Sequence, residues 1–260
     1  MLELHDCRWF PGLLRDLITD ALQELWRFGN TYECILGRLK RRVAEGKDGS
    51  VRSLEILDLC SGGGGPWPSL APVLVRNAGW RIRLTDKYPN LEAFRALASE
   101  ARTQIEFVAQ PVDATAVPAE LSGFRTMFSA FHHFGPDAAR RVLGNAVAAG
   151  RGIGVFEVPR RSPRTMLVLC LTPLLVLALT PRMRPFRWAR LVFTYLVPVV
   201  PFVVGFDGLA SCLRAYSLEE LKEMAIELDG PEYRWEVGEE RQGLLPVTYL
   251  IGRPIGMGQN

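Results

Sequence analysis

A run of four glycines, Gly62 to Gly65, follows an apolar stretch of the chain, and Asp86 comes later at a spacing of roughly 20 residues. Glycine lets the backbone adopt a positive φ and approach a ligand closely. A carboxylate at the end of the next strand can accept hydrogen bonds from ribose hydroxyls. The two features together predict a site for a nucleoside-containing ligand. The alternative is a tight turn between a strand and a helix, with Asp86 facing solvent.

A pair of histidines, His132 and His133, follows another predicted strand in the segment SAFHHFGP. Histidine titrates near neutrality, so either residue could act as a general base. The alternative is a packed, hydrogen-bonded pair that shapes the loop. Glu157, at the end of the next predicted strand, is a second candidate for proton transfer. It could equally pair with Arg160 or Arg161.

Composition narrows the classes of protein. The chain has 260 residues, 48% of them hydrophobic and 23% charged, which is typical of a globular protein. Five dispersed cysteines indicate reduced thiols in a cytosolic setting. With three histidines and no Cys-x-x-Cys spacing, we expect no Cys/His zinc site and no bound metal. The first residues lack the basic and apolar regions of a secretory signal.

The predicted elements alternate over about a hundred residues. Short apolar runs at 54–59, 80–85, 105–108, 126–130 and 153–157 are typical of strands, and the intervening segments 67–78, 91–101 and 136–149 of helices. This alternation predicts an α/β fold with a doubly wound, mostly parallel sheet. A helix beginning after Ser217 and a final antiparallel hairpin at 233–254 follow.

Four segments in this order resemble the class I S-adenosylmethionine-dependent methyltransferases of the small-molecule type. They are LDLCSGGGG, LTDKYPN, PVDATAVP and SAFHHFGP. The resemblance covers about residues 50–160 and 215–252. Cys60 stands where the loop of that family usually has its first glycine. The resemblance implies a Rossmann-like sheet of seven strands and S-adenosylmethionine as cofactor.

The resemblance also implies roles for individual residues. Asp58 would act on the amino group of the cofactor through the loop or water, Asp86 would bind the ribose, and Asp113 would bind the adenine amino group. The residues implied in cofactor binding are Asp58, Ser61, Gly62, Gly64, Asp86, Asp113, Ala114, Ser129 and Ala130. The candidate catalytic residues are His132, His133 and Glu157.

The segment 160–206 differs from the rest of the chain. It contains seven arginines and no Lys, Asp or Glu. Between the arginines lie two uncharged runs of 16 residues, which are short for the roughly 20 residues of a transmembrane helix and contain prolines. We expect an apolar, arginine-rich cap over the acceptor pocket. A monotopic membrane insert and a dimer interface are the alternatives.

The sequence thus predicts four parts: an N-terminal helical segment (1–50) covering the cofactor and acceptor site, a cofactor-binding α/β core (51–159), the cap insertion after the fifth strand (160–206), and a C-terminal helix and hairpin completing the sheet (207–260). The predicted function is S-adenosylmethionine-dependent methyl transfer to a small apolar, amphiphilic or lipid-like acceptor. A methylation-triggered reaction such as cyclisation stays open. The competing hypothesis is a non-catalytic S-adenosylmethionine-binding protein attached to a membrane or partner through 160–206.

Location and partners follow from the same features. The arginines lie beside apolar runs and are not interleaved with polar residues, so we expect no nucleic-acid partner. The expected location is the cytoplasm, with peripheral contact at the inner face of the membrane and a homodimer as open alternatives.

Overall fold

The computed structural model describes residues 3–7, 9–45, 54–75, 79–100, 104–184, 186–241 and 245–255. The boundary expected at residue 50, the end of the helix expected at 67–78 and the last residues of the C-terminal part lie outside the described residues.

A seven-stranded sheet forms the centre of the molecule, in the order β3-β2-β1-β4-β5-β7-β6. Strands β1 to β5 are parallel to their neighbours, and β7 is antiparallel to both β5 and β6. This arrangement confirms the predicted mostly parallel, doubly wound sheet. The strands are β1 Leu54–Asp58, β2 Trp80–Leu84, β3 Ile105–Phe107, β4 Phe124–Phe128, β5 Ile153–Glu157, β6 Tyr233–Arg241 and β7 Pro246–Pro254.

Helices cover both faces of the sheet because successive strand residues point to opposite sides. Ile56 packs into a core with α2, α3 and α4, whereas its neighbour Leu57 packs into a second core with α5 and α10. Ser217 begins α10 with a capping box that Glu220 completes, as the sequence predicts. These helices are α2 Leu36–Glu45, α3 Trp67–Val75, α4 Leu91–Ser99, α5 Pro136–Ala148 and α10 Leu218–Glu227.

Strand β4 is displaced from its predicted position. The alternating pattern predicts 126–130, but the strand runs from Phe124 to Phe128. Ser129 has φ 43°, a left-handed conformation that cannot continue a strand. The amide of Ala130 then binds the side chain of Glu157, so it leaves the backbone ladder. Ser129 and Ala130 therefore lie in the loop after the strand.

The segment 160–206 is helical. Its helices are α6 Pro163–Cys170, α7 Thr172–Leu179, α8 Trp188–Leu191 and α9 Val199–Arg214, with a 3-10 turn at Thr180–Arg182 and a π-helical turn at Val192–Leu196. Helix α9 continues past residue 206 to Arg214 without a break. Helices α7 and α9 form a third core with α1, Gly12–Phe28, which lies apart from the sheet.

The first apolar run forms a helical segment that is longer than its 16 uncharged residues. Among the described residues, Pro163–Arg182 is a helical run of 20 residues, long and apolar enough to cross a membrane, and 28% of its most apolar window is buried. The helical run is longer than the uncharged stretch of the sequence because it includes Arg164 and Arg182 near its ends. The helical segments Trp188–Leu196 and Val199–Arg214 are long and apolar enough to cross a membrane only when taken together, and the chain bends by 72° between them.

Four arginines tie this segment to the rest of the protein. Arg160 binds Glu239 at 2.6 Å, Arg161 binds Glu220 at 3.1 Å, Arg187 binds Glu92 at 2.7 Å and Arg190 binds Asp20 at 2.7 Å. Three further arginines, at positions 164, 182 and 184, are exposed. The arginines therefore divide into anchoring side chains and side chains that face solvent.

Candidate active site

A cavity of about 470 Å³ opens at the carboxyl ends of β1, β2 and β4. This volume lies within the roughly 300–1,000 Å³ typical of small-molecule sites. The loops after these strands form its floor, and α1, α6 and α9 contribute its other walls. The site therefore lies where a doubly wound sheet binds ligands.

The glycine loop has two faces. Gly62, Gly63 and Gly65 line the cavity. Gly64 has φ 105°, and a Cβ at this position would collide with the side chain of Leu97. Gly64 therefore serves the packing of the loop on α4, and the structure does not place it in the cavity wall. Gln23 of α1 donates a hydrogen bond to the carbonyl of Gly63, so the N-terminal helix holds the outer side of the loop.

Asp86 links the loop to the second strand. Its carboxylate accepts hydrogen bonds from the amides of Gly62 at 2.8 Å and Tyr88 at 2.7 Å. The side chain also lines the cavity, so it is not the solvent-facing aspartate of a simple turn. A carboxylate has about four acceptor positions, so two amides do not exhaust its capacity. This contact explains the spacing between the glycines and Asp86.

Asp58 is buried at the end of β1, with 1% of its surface exposed. Its two oxygens accept hydrogen bonds from the hydroxyls of Thr126 at 2.6 Å and Ser61 at 2.7 Å. Burial, with a smaller contribution from the charge of Asp86, raises the pKa of Asp58 to about 7, although its hydrogen bonds act in the opposite direction. The hydrogen bonds come from neutral hydroxyls, while the carboxylate borders the cavity. The environment therefore suits a ligand that brings a positive charge.

Asp113 and Ala114, in the segment after β3, also line the cavity. The carboxylate of Asp113 accepts hydrogen bonds from the hydroxyl and amide of Thr115 and from Lys87 at 3.1 Å. The bonds from Thr115, with that from Lys87, hold the pKa of Asp113 below its usual value. Asp113 is therefore ionised at neutral pH, in contrast to Asp58.

Ser129 and Ala130, in the loop after β4, also line the cavity. The Ser129 hydroxyl lies 2.6 Å from the hydroxyl of Tyr32 and accepts a hydrogen bond from the amide of Val158. These contacts stabilise the left-handed backbone of Ser129, which is strained for a residue with a side chain. Such strain is concentrated at functional sites in proteins.

Both histidines of the FHHF segment line the cavity, but they differ in environment. His132 is 3% exposed, and its Nδ1 lies 2.5 Å from Oε2 of Glu157. Oε1 of Glu157 accepts the amides of Ala130 and Phe131. Glu157 is therefore a positioning residue beneath the cavity. Its expected alternative, a pair with Arg160 or Arg161, is wrong because these arginines bind other carboxylates.

Sequence reasoning missed four residues at the histidine end of the cavity. His5 lies against α9, with its Nδ1 2.6 Å from Oδ2 of Asp207, and the amide of Leu4 donates to the same carboxylate. The carboxylate oxygens of Glu3 lie 3.5 Å from Nε2 of His132, 3.5 Å from Nδ1 of His133 and 3.5 Å from a guanidinium nitrogen of Arg214. Asp207 is the first acidic residue after the long acid-free segment, which was the signal available in the sequence.

No protein-family model matches the chain, and no curated protein matches its sequence. The structure is similar to the methyltransferase domain of bacterial CtHen1, with a TM-score of 0.50 and 14% identity over 85% of this chain and 98% of that chain. The match to magnesium protoporphyrin IX methyltransferase (ChlM) from Synechocystis PCC 6803 with bound SAH has a TM-score of 0.43 and 14% identity over 86% and 82% of the chains.

A further structure is a LepI variant in complex with SAH and a substrate analogue, with a TM-score of 0.49 and 16% identity over 82% of this chain. The chain spans less than half, 46%, of that protein. At these identities, the comparison with CtHen1 carries the fold alone. Together with the observed strand order, it shows that the chain has the class I methyltransferase fold.

Proposed function

We propose that the protein binds S-adenosylmethionine and transfers its methyl group to a small apolar or amphiphilic acceptor. The observation that carries this proposal is the single cavity that joins Asp58, Asp86, Asp113 and the histidine end of the sheet. Asp58 would hold the ammonium group, Asp86 the ribose, and Asp113 with the Ala114 amide the adenine. Backbone at Ser61, Gly62, Ser129 and Ala130 would lie along the cofactor.

The cofactor supplies a methyl group on a sulfonium centre that is already a strong electrophile. The protein has to position the acceptor in line with that methyl group and to accept a proton if the acceptor carries one. We assign the proton to His5, because Asp207 holds its Nδ1 and proton uptake then falls to Nε2. His132 and His133 form the acceptor-side wall in this proposal.

The nature of the acceptor is inferred from the walls around the histidines. Leu169, Val204, Phe134 and Val158 line this end of the cavity. Leu169 and Val204 belong to the segment 160–206, so that segment acts as a cap over the acceptor in this proposal. An apolar body with one polar reacting group fits these walls. The same cavity supports catalysis over the alternative of a non-catalytic binding protein, because space extends beyond the cofactor positions.

Asp86→Ala tests cofactor binding. Removing a charged hydrogen-bond acceptor should cost roughly 1.5–3 kcal/mol, which is about ten- to a hundred-fold in affinity for S-adenosylmethionine measured by titration calorimetry. Asp137→Ala is the matched control, because it removes the same charge from an exposed position outside the cavity. Equal affinity in the wild type and the Asp86 variant, or tighter binding of a nicotinamide dinucleotide, would overturn the proposal.

Methyl transfer is tested with S-adenosylmethionine labelled in its methyl group and a cell extract as the source of acceptor. We expect protein-dependent label in the organic phase after solvent partition. Label only in the aqueous phase would contradict an apolar acceptor. Tight cofactor binding with no transfer to any extract fraction would favour the non-catalytic alternative.

We further propose that the segment 160–206 contacts an anionic lipid bilayer from the cytoplasmic side without spanning it. Of the seventeen large apolar side chains that the described residues expose, ten belong to this segment. Exposed apolar side chains beside exposed arginines suit the boundary between acyl chains and anionic headgroups. Because α7 and α9 pack on α1, we favour a partly embedded cap and not a membrane-spanning segment. A homodimer through this surface is the competing outcome.

A further inference from the structure

A cluster of three side chains, two of them buried, lines the cavity. Glu3, His132 and His133 each offer one ligand atom, and these atoms all lie within 4.8 Å of one another. His132 Nε2 is 3.5 Å from Glu3 Oε1, and His133 Nδ1 is 3.5 Å from Glu3 Oε2. Two imidazoles and a carboxylate form a donor set that suits zinc and related divalent metals.

His132 is arranged as metal-binding histidines are. Its Nδ1 lies 2.5 Å from Glu157, which already accepts two backbone amides. With Nδ1–H donated to that carboxylate, Nε2 carries a lone pair. Nε2 is buried and has no hydrogen-bond partner among the described residues. In metal sites the second ring nitrogen of a ligating histidine commonly donates to such a carboxylate, which fixes the tautomer and raises the basicity of the ligand.

The distances within the cluster fit a central cation better than direct hydrogen bonds. A separation of 3.5 Å between imidazole nitrogen and carboxylate oxygen exceeds the usual range of about 2.7–3.2 Å. Two ligand atoms bound at about 2.0–2.1 Å around a tetrahedral ion lie roughly 3.3–3.4 Å apart. Each of the two nitrogen–oxygen separations, which go to different oxygens of Glu3, is close to the edge of a zinc coordination tetrahedron, and the three ligand atoms lie within 4.8 Å of one another.

The charges around the cluster also favour a cation. Three buried carboxylates meet here, those of Glu3, Glu157 and Asp207. The guanidinium of Arg214 faces Glu3 at 3.5 Å and donates to the carbonyl of His133. One guanidinium does not by itself offset three buried carboxylates, and a divalent ion bound by neutral histidines would add two positive charges.

We propose that Glu3, His132 and His133 bind a divalent transition metal of the zinc class, with Glu157 positioning His132. Three protein ligands are the number found in catalytic zinc sites, in which water or substrate takes a fourth position. This inference departs from the metal-free site expected from the sequence, because only the fold brings Glu3 to residues far along the chain.

The proposal deepens the proposed function, on which its chemistry depends, because it names the reacting group of the acceptor as a hydroxyl or carboxyl oxygen. A metal held by these residues would lower the pKa of an acceptor hydroxyl, whose proton would pass to Nε2 of His5. The oxygen then forms a bond to the methyl carbon while the carbon–sulfur bond breaks, and sulfur keeps that electron pair. The products are a methyl ether or ester and a neutral thioether.

The test is titration of the chelator-treated full-length protein with ZnCl2, together with visible absorption after addition of CoCl2. We expect one ion per chain and a Co²⁺ spectrum of four- or five-coordination. His132→Ala and His133→Ala should each weaken binding by at least 100-fold, and Glu157→Gln by about 10- to 100-fold. Glu106→Gln, which changes an exposed carboxylate at the sheet edge, should leave binding unchanged.

Circular dichroism establishes that each variant is folded, and the partly exposed His133 provides a second variant if His132→Ala does not fold. Absence of a stoichiometric ion, or unchanged affinity in both folded histidine variants, would overturn the metal site. The outcome is separable from the proposed function. Asp86→Ala should leave metal binding intact, and loss of the metal site should leave cofactor affinity within a few-fold of the wild type.

Discussion

Asp58 and Asp113 are two carboxylates in one cavity with opposite electrostatic environments. Burial raises the pKa of Asp58 to about 7, whereas hydrogen bonds from Thr115 and Lys87 lower that of Asp113. At neutral pH, Asp113 is ionised and Asp58 is divided between its two forms. A ligand that brings an ammonium group to Asp58 favours the ionised form, so binding is linked to release of a proton.

We therefore expect S-adenosylmethionine binding at pH 7 to release about half a proton, because the carboxyl group starts near its pKa. Calorimetry in buffers with different ionisation enthalpies measures this number. Asp58→Asn should remove the buffer dependence, while the matched variant Asp113→Asn should retain it. A proton count that is the same in the wild type and Asp58→Asn would show that Asp58 does not meet the ligand's charge.

The same carboxyl group links folding to pH, with a sign that follows from its raised pKa. The folded state holds the proton of Asp58 more tightly than the unfolded state, whose carboxyl has its ordinary pKa near 4. The resulting stabilisation is fully present below pH 4 and is lost as pH rises through about 7. The cost of ionised, buried Asp58 is then relieved when a cationic ligand binds.

Cys60 is the residue that replaces glycine in the loop, and its backbone has φ 57°. A side chain costs about 1–2 kcal/mol in this left-handed conformation, which glycine adopts without strain. We expect Cys60→Gly to be more stable than Cys60→Ala by about 1 kcal/mol in urea unfolding, with cofactor affinity retained in both. The alanine variant controls for loss of the thiol. Equal stability of the two variants would mean that the loop relaxes.

At the scale of elements, the sequence predicts most of the sheet because its signals are local. Alternating strands and helices, the glycine loop and the Ser217 cap all depend on residues within a few positions of each other. The sequence predicts strand β4 at the wrong residues because the amide of Ala130 donates to the carboxylate of Glu157, at the end of β5, and so leaves the strand.

The His5–Asp207 contact joins residues 202 positions apart, so no local pattern could reveal it. The cap was predicted as apolar, but its helix boundaries were not. Pro173 is the second residue of α7 and Pro198 is the N-cap of α9, so both lie at helix starts, where proline is tolerated.

The N-terminal segment and α9 meet at this contact, and their pairing should control proton transfer. His5→Ala should lower turnover by about 10²–10⁴, and Asp207→Asn should lower it as well because Asp207 fixes the tautomer of His5. The affinity for S-adenosylmethionine should barely change in either variant. Turnover as a function of pH is the measurement, since loss of the base should flatten the profile.

Glu223→Gln on the exposed side of α10 is the control for Asp207→Asn. Full turnover in His5→Ala with a normal pH profile would assign the proton to another group. A loss of cofactor affinity equal to the loss of turnover would mean that the segment is structural.

At the scale of the whole molecule, the segment 160–206 gives the protein an apolar, cationic surface. We expect the protein to float with vesicles of anionic phospholipid and to leave them at high salt, because screening weakens headgroup attraction. Replacing Trp188 and Leu196, which are 74% and 78% exposed, with serine should reduce binding several-fold. Ile226→Ser is the matched control, since that side chain is 74% exposed on α10.

Each result of the vesicle experiment has a distinct meaning. Protein released only by detergent would show that Pro163–Arg182 is a membrane anchor. Protein that does not bind anionic vesicles but changes its sedimentation with concentration would assign the surface to a homodimer. Binding that is equal for neutral and anionic vesicles would contradict a role for the exposed arginines.

The position of β7 has a consequence for the synthesis of the chain. This last strand lies between β5 and β6, and it pairs with β5 from Ile153 to Glu157. Until β7 is free of the ribosome, one edge of β5 has no strand beside it, although the apolar helices of 160–206 come earlier in the chain. Unpaired strand edges and exposed apolar surface both promote aggregation. Truncation of the chain after residue 245 should therefore harm the yield of soluble protein far more than truncation after residue 254.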